Sequence, residues 1–263
     1  MQNTFQIQHK SLTAAEVHSR QMHRLHRVKL FSAALCQVTN GSKVVVQDDR
    51  RMLATPGELI ILPASTELEI VNQPSQGYFR SDLLLLSPAL LASFKAQYVQ
   101  EIPPARLHSL CVPMSESLRF MWQGVLSAVR NDLPTTLQDH QAMGLLLALH
   151  QEGLTGPLLI ERRFSLSEQV RQLIMLAPGK AWTAQEIAAQ LALGESTLRR
   201  RLQQESQSYR QIVEEVRMAS ALSHLQSTTL PISEVASRCG YLSSSRFTAR
   251  FRQHYGCLPK NIR

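Results

Sequence analysis

The chain has 263 residues, 44% hydrophobic and 18% charged, with a formal net charge of +8 at pH 7. That is enough for one large or two ordinary domains, and no apolar run reaches the ~18 residues of a membrane span. The excess charge is segregated: residues 162–263 hold 15 Lys and Arg against 7 Asp and Glu, while residues 1–161 hold 13 of each. A basic third on a neutral remainder is the footprint expected of a nucleic-acid-binding domain.

Residues 1–30 read as a polar, basic arm, with His18, His23 and His26 among Arg20, Arg24 and Arg27. They lack the apolar block of a signal peptide. Strand patterns begin at Phe31. A run over 31–38 meets Asn40-Gly41, a hairpin turn signal, and a β-branched run follows over 43–47. Met52-Leu53-Ala54 leads to the turn Thr55-Pro56-Gly57, then to strands over 59–63, 68–71 and 78–86. Short strands at about ten-residue intervals predict a small β-sandwich or barrel.

From Pro88 the period changes to that of helices. One is expected over Pro88–Tyr98, a second over 115–129 capped at Ser115, and a third over 136–150. The apolar stripe of the third is read as Leu137, His140-Gln141, Gly144-Leu145 and Ala148-Leu149, ending at Gly153 and Gly156-Pro157. Residues 158–165 are the expected linker, with Arg162-Arg163 in it. A further helix over 166–176 opens the basic third.

Residues 182–263 carry one short pattern twice. Ile187-Ala188, Leu191-Ala192-Leu193, Leu198 and Leu202 are matched by Val235-Ala236, Cys239-Gly240-Tyr241, Phe247 and Phe251. In each copy a short amphipathic helix ends at a tight turn and a second follows, the outline of a helix-turn-helix. Between them Tyr209–Ser227 has Ile212, Val216, Ala219, Leu222 and Leu225 at helical steps. That rod is roughly 27 Å long, near the ~34 Å of one duplex turn, so two heads could sit in successive major grooves.

These residues resemble the DNA-binding region of the AraC/XylS family of bacterial transcriptional regulators. The second copy carries the family pattern through Ile232, Val235-Ala236, Gly240-Tyr241, Ser243, Ser245-Arg246-Phe247, Phe251, Tyr255-Gly256, Pro259 and Arg263. The first copy is looser, with Gly194 where Ser is usual, Leu202 where Phe is usual and Ser206 where Gly is usual. The run from Pro56-Gly57 to Pro63 is similar to one in the family's cupin-like sensor domains. The expected fold is therefore α+β: residues 1–157 a cupin-like β-barrel with flanking helices for sensing or dimerisation, residues 166–263 an all-α domain with two helix-turn-helix motifs joined by a long helix. Two readings stand for the helices after Pro88, namely contacts of a homodimer, as in the family, or simple cover for the barrel.

The function implied is sequence-specific transcription regulation, with activation through RNA polymerase expected over repression. Enteric regulators of virulence or stress genes are the members it looks like, and some of those respond to fatty acids. In the first recognition helix, Glu195–Gln204, the DNA-facing candidates are Ser196, Thr197, Arg199, Arg200 and Gln203, since Arg pairs with guanine and Gln with adenine. In the second, over 243–253, they are Ser244, Ser245, Arg246, Thr248 and Arg250, the early hydroxyls and N–H groups suiting phosphates. Arg217 matches a family position that anchors the connecting helix.

His23, Arg27 and Lys29 are the candidates for holding an acidic effector's head group near the barrel. No metal or other cofactor is expected: after Pro63 comes Ala-Ser-Thr-Glu-Leu-Glu, without the His that metal-binding cupins supply. There is no phosphate loop or nucleophile motif either, so an enzyme is not expected. The rival is a small-molecule-binding cupin or enzyme with an accessory DNA-binding domain. Scattered Cys36, Cys111, Cys239 and Cys257 fit reduced, buried thiols in a bacterial cytoplasm.

Overall fold

A computed structural model describes residues 11–47, 50–64, 66–101, 109–159 and 165–262. Eight strands come first: β1 (Leu12–Ser19), β2 (His23–Leu30), β3 (Ala33–Asn40), β4 (Ser42–Gln47), β5 (Arg50–Ala54), β6 (Glu58–Leu62), β7 (Thr66–Gln73) and β8 (Phe79–Leu86). Helix α1 (Pro88–Tyr98), strand β9 (Cys111–Pro113) and helices α2 (Glu116–Arg130), α3 (Thr135–Gln151) and α4 (Gly156–Leu159) follow. They form two antiparallel sheets, β1-β8-β3-β6-β9 and β2-β7-β4-β5. Between the sheets, Val17, Cys36, Val38, Ile60 and Phe79 meet Leu25, Val45, Leu68 and Ile70 in one buried cluster. The other face of the five-stranded sheet, with Leu35, Leu59, Ile61 and Leu84, is covered by Leu90, Phe94, Leu118, Trp122, Leu145 and Leu149 of the helices.

Several elements depart from the sequence reading. The arm expected over residues 1–30 is, from Leu12 onward, two strands, β1 and β2. Their inward set is small, and between Leu25 and Val28 a bulge shifts the register, with Arg27 left-handed at φ +55°. A bulge breaks the period of two by which a strand is recognised. The Asn40-Gly41 turn does not close a hairpin, because β3 and β4 lie in different sheets. Asn40 donates instead to the Ser75 and Tyr78 carbonyls (3.0 and 2.7 Å), tying the crossing to the β7–β8 connection.

In α3 the buried face is Gln138, Ala142, Leu145, Leu146, Ala148 and Leu149, while Leu137 is exposed. A helix apolar on several sides has no single phase to read. The stretch expected as linker begins inside α4, where Leu158 and Leu159 are buried against the sheet. Residues 160–164, including Arg162 and Arg163, lie outside the described residues.

The basic third contains α5 (Leu166–Met175), α6 (Ala184–Gln190), α7 (Glu195–Gln204), α8 (Tyr209–Ser227), α9 (Ile232–Arg238), α10 (Ser244–Tyr255) and a closing 3₁₀ turn, Pro259–Ile262. Helix α8 divides its packing. Ile212 and Val216 join the core of the first motif with Val170, Ile187, Leu198 and Leu202. Met218, Ala221, Leu222 and Leu225 join Val235, Phe247, Phe251 and Tyr255, a core continuous with the interior of the sheets. The architecture is α+β, a two-sheet barrel with covering helices and a helical domain docked on it.

Candidate nucleic-acid interface

Each reading head is set by local chemistry. Helix α6 starts in a capping box, in which Thr183 Oγ1 accepts from Glu186 N (3.1 Å) and the Glu186 carboxylate accepts from Thr183 N (2.8 Å). These bonds satisfy backbone groups that a helix start leaves open. The Thr183 backbone donor, the largest influence, holds the Glu186 carboxyl below its usual pKa. Small Ala188 and Ala236 are buried in the cores that α6 shares with α7 and α9 with α10. At the turns the backbone is left-handed at Ala192 (φ +53°) and at Gly240 (φ +80°), which hold equivalent places in the two copies. Helix α10 is capped by Ser243, whose side chain accepts from Arg246 N.

With Leu198 and Leu202 of α7, and Phe247, Phe251 and Tyr255 of α10, fully buried, each second helix presents its other side outward. Ser196, Arg199, Arg200 and Gln203 are exposed and Thr197 is half-buried; Ser244, Ser245, Arg246 and Arg250 are exposed and Thr248 is half-buried. All ten therefore lie on the two outward faces, but not in equal states. Arg199 is paired with Glu195 one turn back (2.8 Å). Arg250 donates to Gln253 (3.0 Å) and lies 4.0 Å from Glu214. Arg200 and Arg246 have no carboxylate partner among the described residues.

Arg217, on α8, ties the heads together. It donates to the Pro178 and Lys180 carbonyls (both 3.2 Å) and lies over the Tyr241 ring at 6.0 Å. A Cβ on Gly240 would come within 2.8 Å of this guanidinium, which its two carbonyl bonds hold in place, and 3.0 Å of the Gly179 carbonyl, so glycine is favoured there by φ and the space around it is tight.

The three candidates for an acidic ligand do not converge. His23 lies inside the sheets, in register with Asn72, which pairs in turn with Lys43. Burial pulls its pKa below the usual 6.5. Arg27, within the bulge, and Lys29, beyond it, face the helical domain. They line a cleft of about 190 Å³ with Glu67, Glu214, Glu215, His254 and Tyr255. Lys29 Nζ lies 3.3 Å from Glu215, which also accepts from buried Arg171 (3.1 Å). Sequence reasoning missed this hub: Arg171 sits at an apolar phase of α5, beside Val170 and Ile174, and that was the available signal. It also missed Leu242, an exposed leucine at the start of the second recognition helix.

Residues 187–263 match the family described as a helix-turn-helix domain. The urease operon transcriptional activator of Escherichia coli is 34% identical over 123 residues, 45% of this chain and 41% of that protein. The porin thermoregulatory protein EnvY of Escherichia coli K12 is 34% identical over 113 residues, covering 43% and 45%. The virulence regulon transcriptional activator VirF of Shigella flexneri is 31% identical over 112 residues, 43% of each chain. Each match thus spans less than half of the relative's length. Among solved structures, unsaturated fatty acid-bound ToxT from Vibrio cholerae superposes over 97% of this chain and 95% of its own, with a TM-score of 0.68 and 12% identity. At that identity the likeness shows a shared fold.

Proposed function

We propose that the chain is a sequence-specific DNA-binding transcription regulator of the AraC/XylS kind, acting as an activator through RNA polymerase; the match of residues 187–263 to a helix-turn-helix domain family supports this reading. It works in the bacterial cytoplasm, on the nucleoid. One observation carries the reading: two helix-turn-helix heads with outward basic faces share a single rod, α8. Arg and Lys supply salt-dependent affinity for phosphates, and the two second helices supply sequence choice.

The dominant base reader in this proposal is Arg246, which is exposed and has no carboxylate partner among the described residues, whereas Arg199 must leave Glu195 to reach a base. Sites are selected from random duplexes, and the affinity of each variant is then measured against selected and scrambled DNA. Arg246→Ala is expected to cost about 10-fold or more on the selected site and to relax its preferred base. Arg199→Ala should cost less. The opposite ranking would move the main reading to α7, and equal binding to both duplexes would remove the regulator.

Residues 1–159, which include α4, are assigned to sensing and dimerisation, and residues 166–263 to DNA. The effector class proposed is a small acidic molecule such as a fatty acid. Its head group would compete with Glu215 for Lys29, with Arg27 beside it. His23, inside the sheets, is left out of that site. Fatty-acid binding measured by titration should weaken at least several-fold in Lys29→Ala. Unchanged binding in Arg27→Ala/Lys29→Ala would end this assignment.

A further inference from the structure

The two helix-turn-helix copies differ by one residue, and the difference has a physical outcome. In the first, one residue, Leu193, separates left-handed Ala192 from the helix cap Gly194. In the second, two residues, Tyr241 and Leu242, separate left-handed Gly240 from the cap Ser243. Leu193 is half-buried and packs on the core of its own motif. Tyr241 does that job in the second copy, with its ring edge-on to Phe247 at 5.4 Å.

The additional residue has no core to enter. Leu242 has 106% relative exposure, whereas among the described residues the next most exposed large apolar side chain, Phe120, has 72%. A single exposed leucine is ordinary on a protein surface, so exposure alone would mean little. Its place matters more: it immediately precedes the cap of α10 and is the one apolar side chain in the run 242–246, beside exposed Ser244, Ser245 and Arg246. That end of a recognition helix is the one that approaches base edges.

We propose that Leu242 is a specificity-determining residue that packs on the 5-methyl group of a thymine at the edge of the sequence read by α10. The inference rests on the DNA-binding reading above. Thymine is the base whose major-groove edge carries a methyl group, and an apolar side chain is the partner that distinguishes it. The first head, with Gly194 and Glu195 at its start, has no equivalent group. The two heads would therefore differ in chemistry, one reading by polar contacts alone.

The test uses the full chain and a duplex selected from random sequence. Each thymine in turn is replaced by deoxyuridine, which keeps the pairing edge and its hydrogen bonds and removes only the methyl group. One position is expected where this substitution weakens wild-type binding about fourfold, the value of one buried methyl-sized group. Leu242→Ala should bind the thymine duplex more weakly by at least that factor and be indifferent to deoxyuridine there. Its salt dependence should match wild type, since no charge is lost, and Leu242→Met should retain the thymine preference. A scan without any sensitive position, or a deoxyuridine penalty that persists in Leu242→Ala, would overturn the proposal while leaving sequence-specific binding intact. Failure of the wild-type chain to select any sequence would remove the DNA-binding reading and the proposal together.

Discussion

Ala192 and Gly240 occupy equivalent turns, yet only one of them suits the backbone it adopts. A left-handed conformation costs an L-residue about 1–2 kcal/mol, part of which glycine's greater freedom in the unfolded chain offsets. Ala192→Gly is therefore expected to stabilise the protein by about 0.5–1 kcal/mol in urea unfolding. Gly240→Ala should destabilise it by more than that, because the new methyl would meet the Arg217 guanidinium and, at 3.0 Å, the Gly179 carbonyl. Matching effects from the two substitutions would mean that φ alone governs both turns. Residue type did not announce the strain at Ala192. Ser206, noted as standing where glycine is usual, is also left-handed at φ +55°, so departures from a repeat can mark such places where composition cannot.

Helix α8 holds the heads at both of its ends, and Arg217 fixes the loop between α5 and α6 to the second turn. Removing that side chain strips two carbonyls of a charged donor. Arg217→Ala should cost about 2–3 kcal/mol in thermal or urea unfolding, and should weaken binding to a complete site more than to a half-site. Equal losses on both would leave the relative placement of the heads independent of Arg217. At this scale the sequence was most readable where a helix packs on one side and is bounded by caps. The bounds of α1, α7 and α8 follow directly from Pro88, Glu195 and Tyr209 and their periodic apolar partners. Strand β2 was obscured because Arg24, His26 and Arg27 crowd it and a bulge shifts its register. The outward faces of α7 and α10 were legible because Leu198, Leu202, Phe247 and Phe251 fix the phase. What each arginine does there was only partly legible: the i,i+4 spacing of Glu195 and Arg199 marks their pairing, whereas the approach of Glu214 on α8 to Arg250 comes from tertiary geometry that spacing does not give.

The two halves of the molecule are joined by the Lys29–Glu215 ion pair as well as by the continuous core. His23, His224 and His254 all have pKa values pulled below 6.5, by burial first and, for the last two, by nearby Arg238 and Arg27 second. His254 faces Arg27, Glu67, Glu214 and Glu215 in the cleft between the sheets and the helical domain. Between pH 6.5 and the lower folded values the unfolded chain takes up protons that the folded chain refuses, so stability is lost as pH falls through that window. The melting temperature should drop on acidification from pH 7.5 to 5.5, and His254→Gln should reduce the drop. An unchanged slope in that variant would assign the effect to the other two histidines.

A final consequence follows from the rod between the heads. Because α8 is one uninterrupted helix packed at both ends, lengthening it by a single residue would turn one head by roughly 100° as well as moving it ~1.5 Å. No small change of length therefore preserves the phase of the pair. Under the proposed function, target promoters can, over evolutionary time, exchange letters within each half-site, one contact at a time. The interval between half-sites has no such gradual route, so the spelling of this protein's operators is free to drift while their metre is inherited intact.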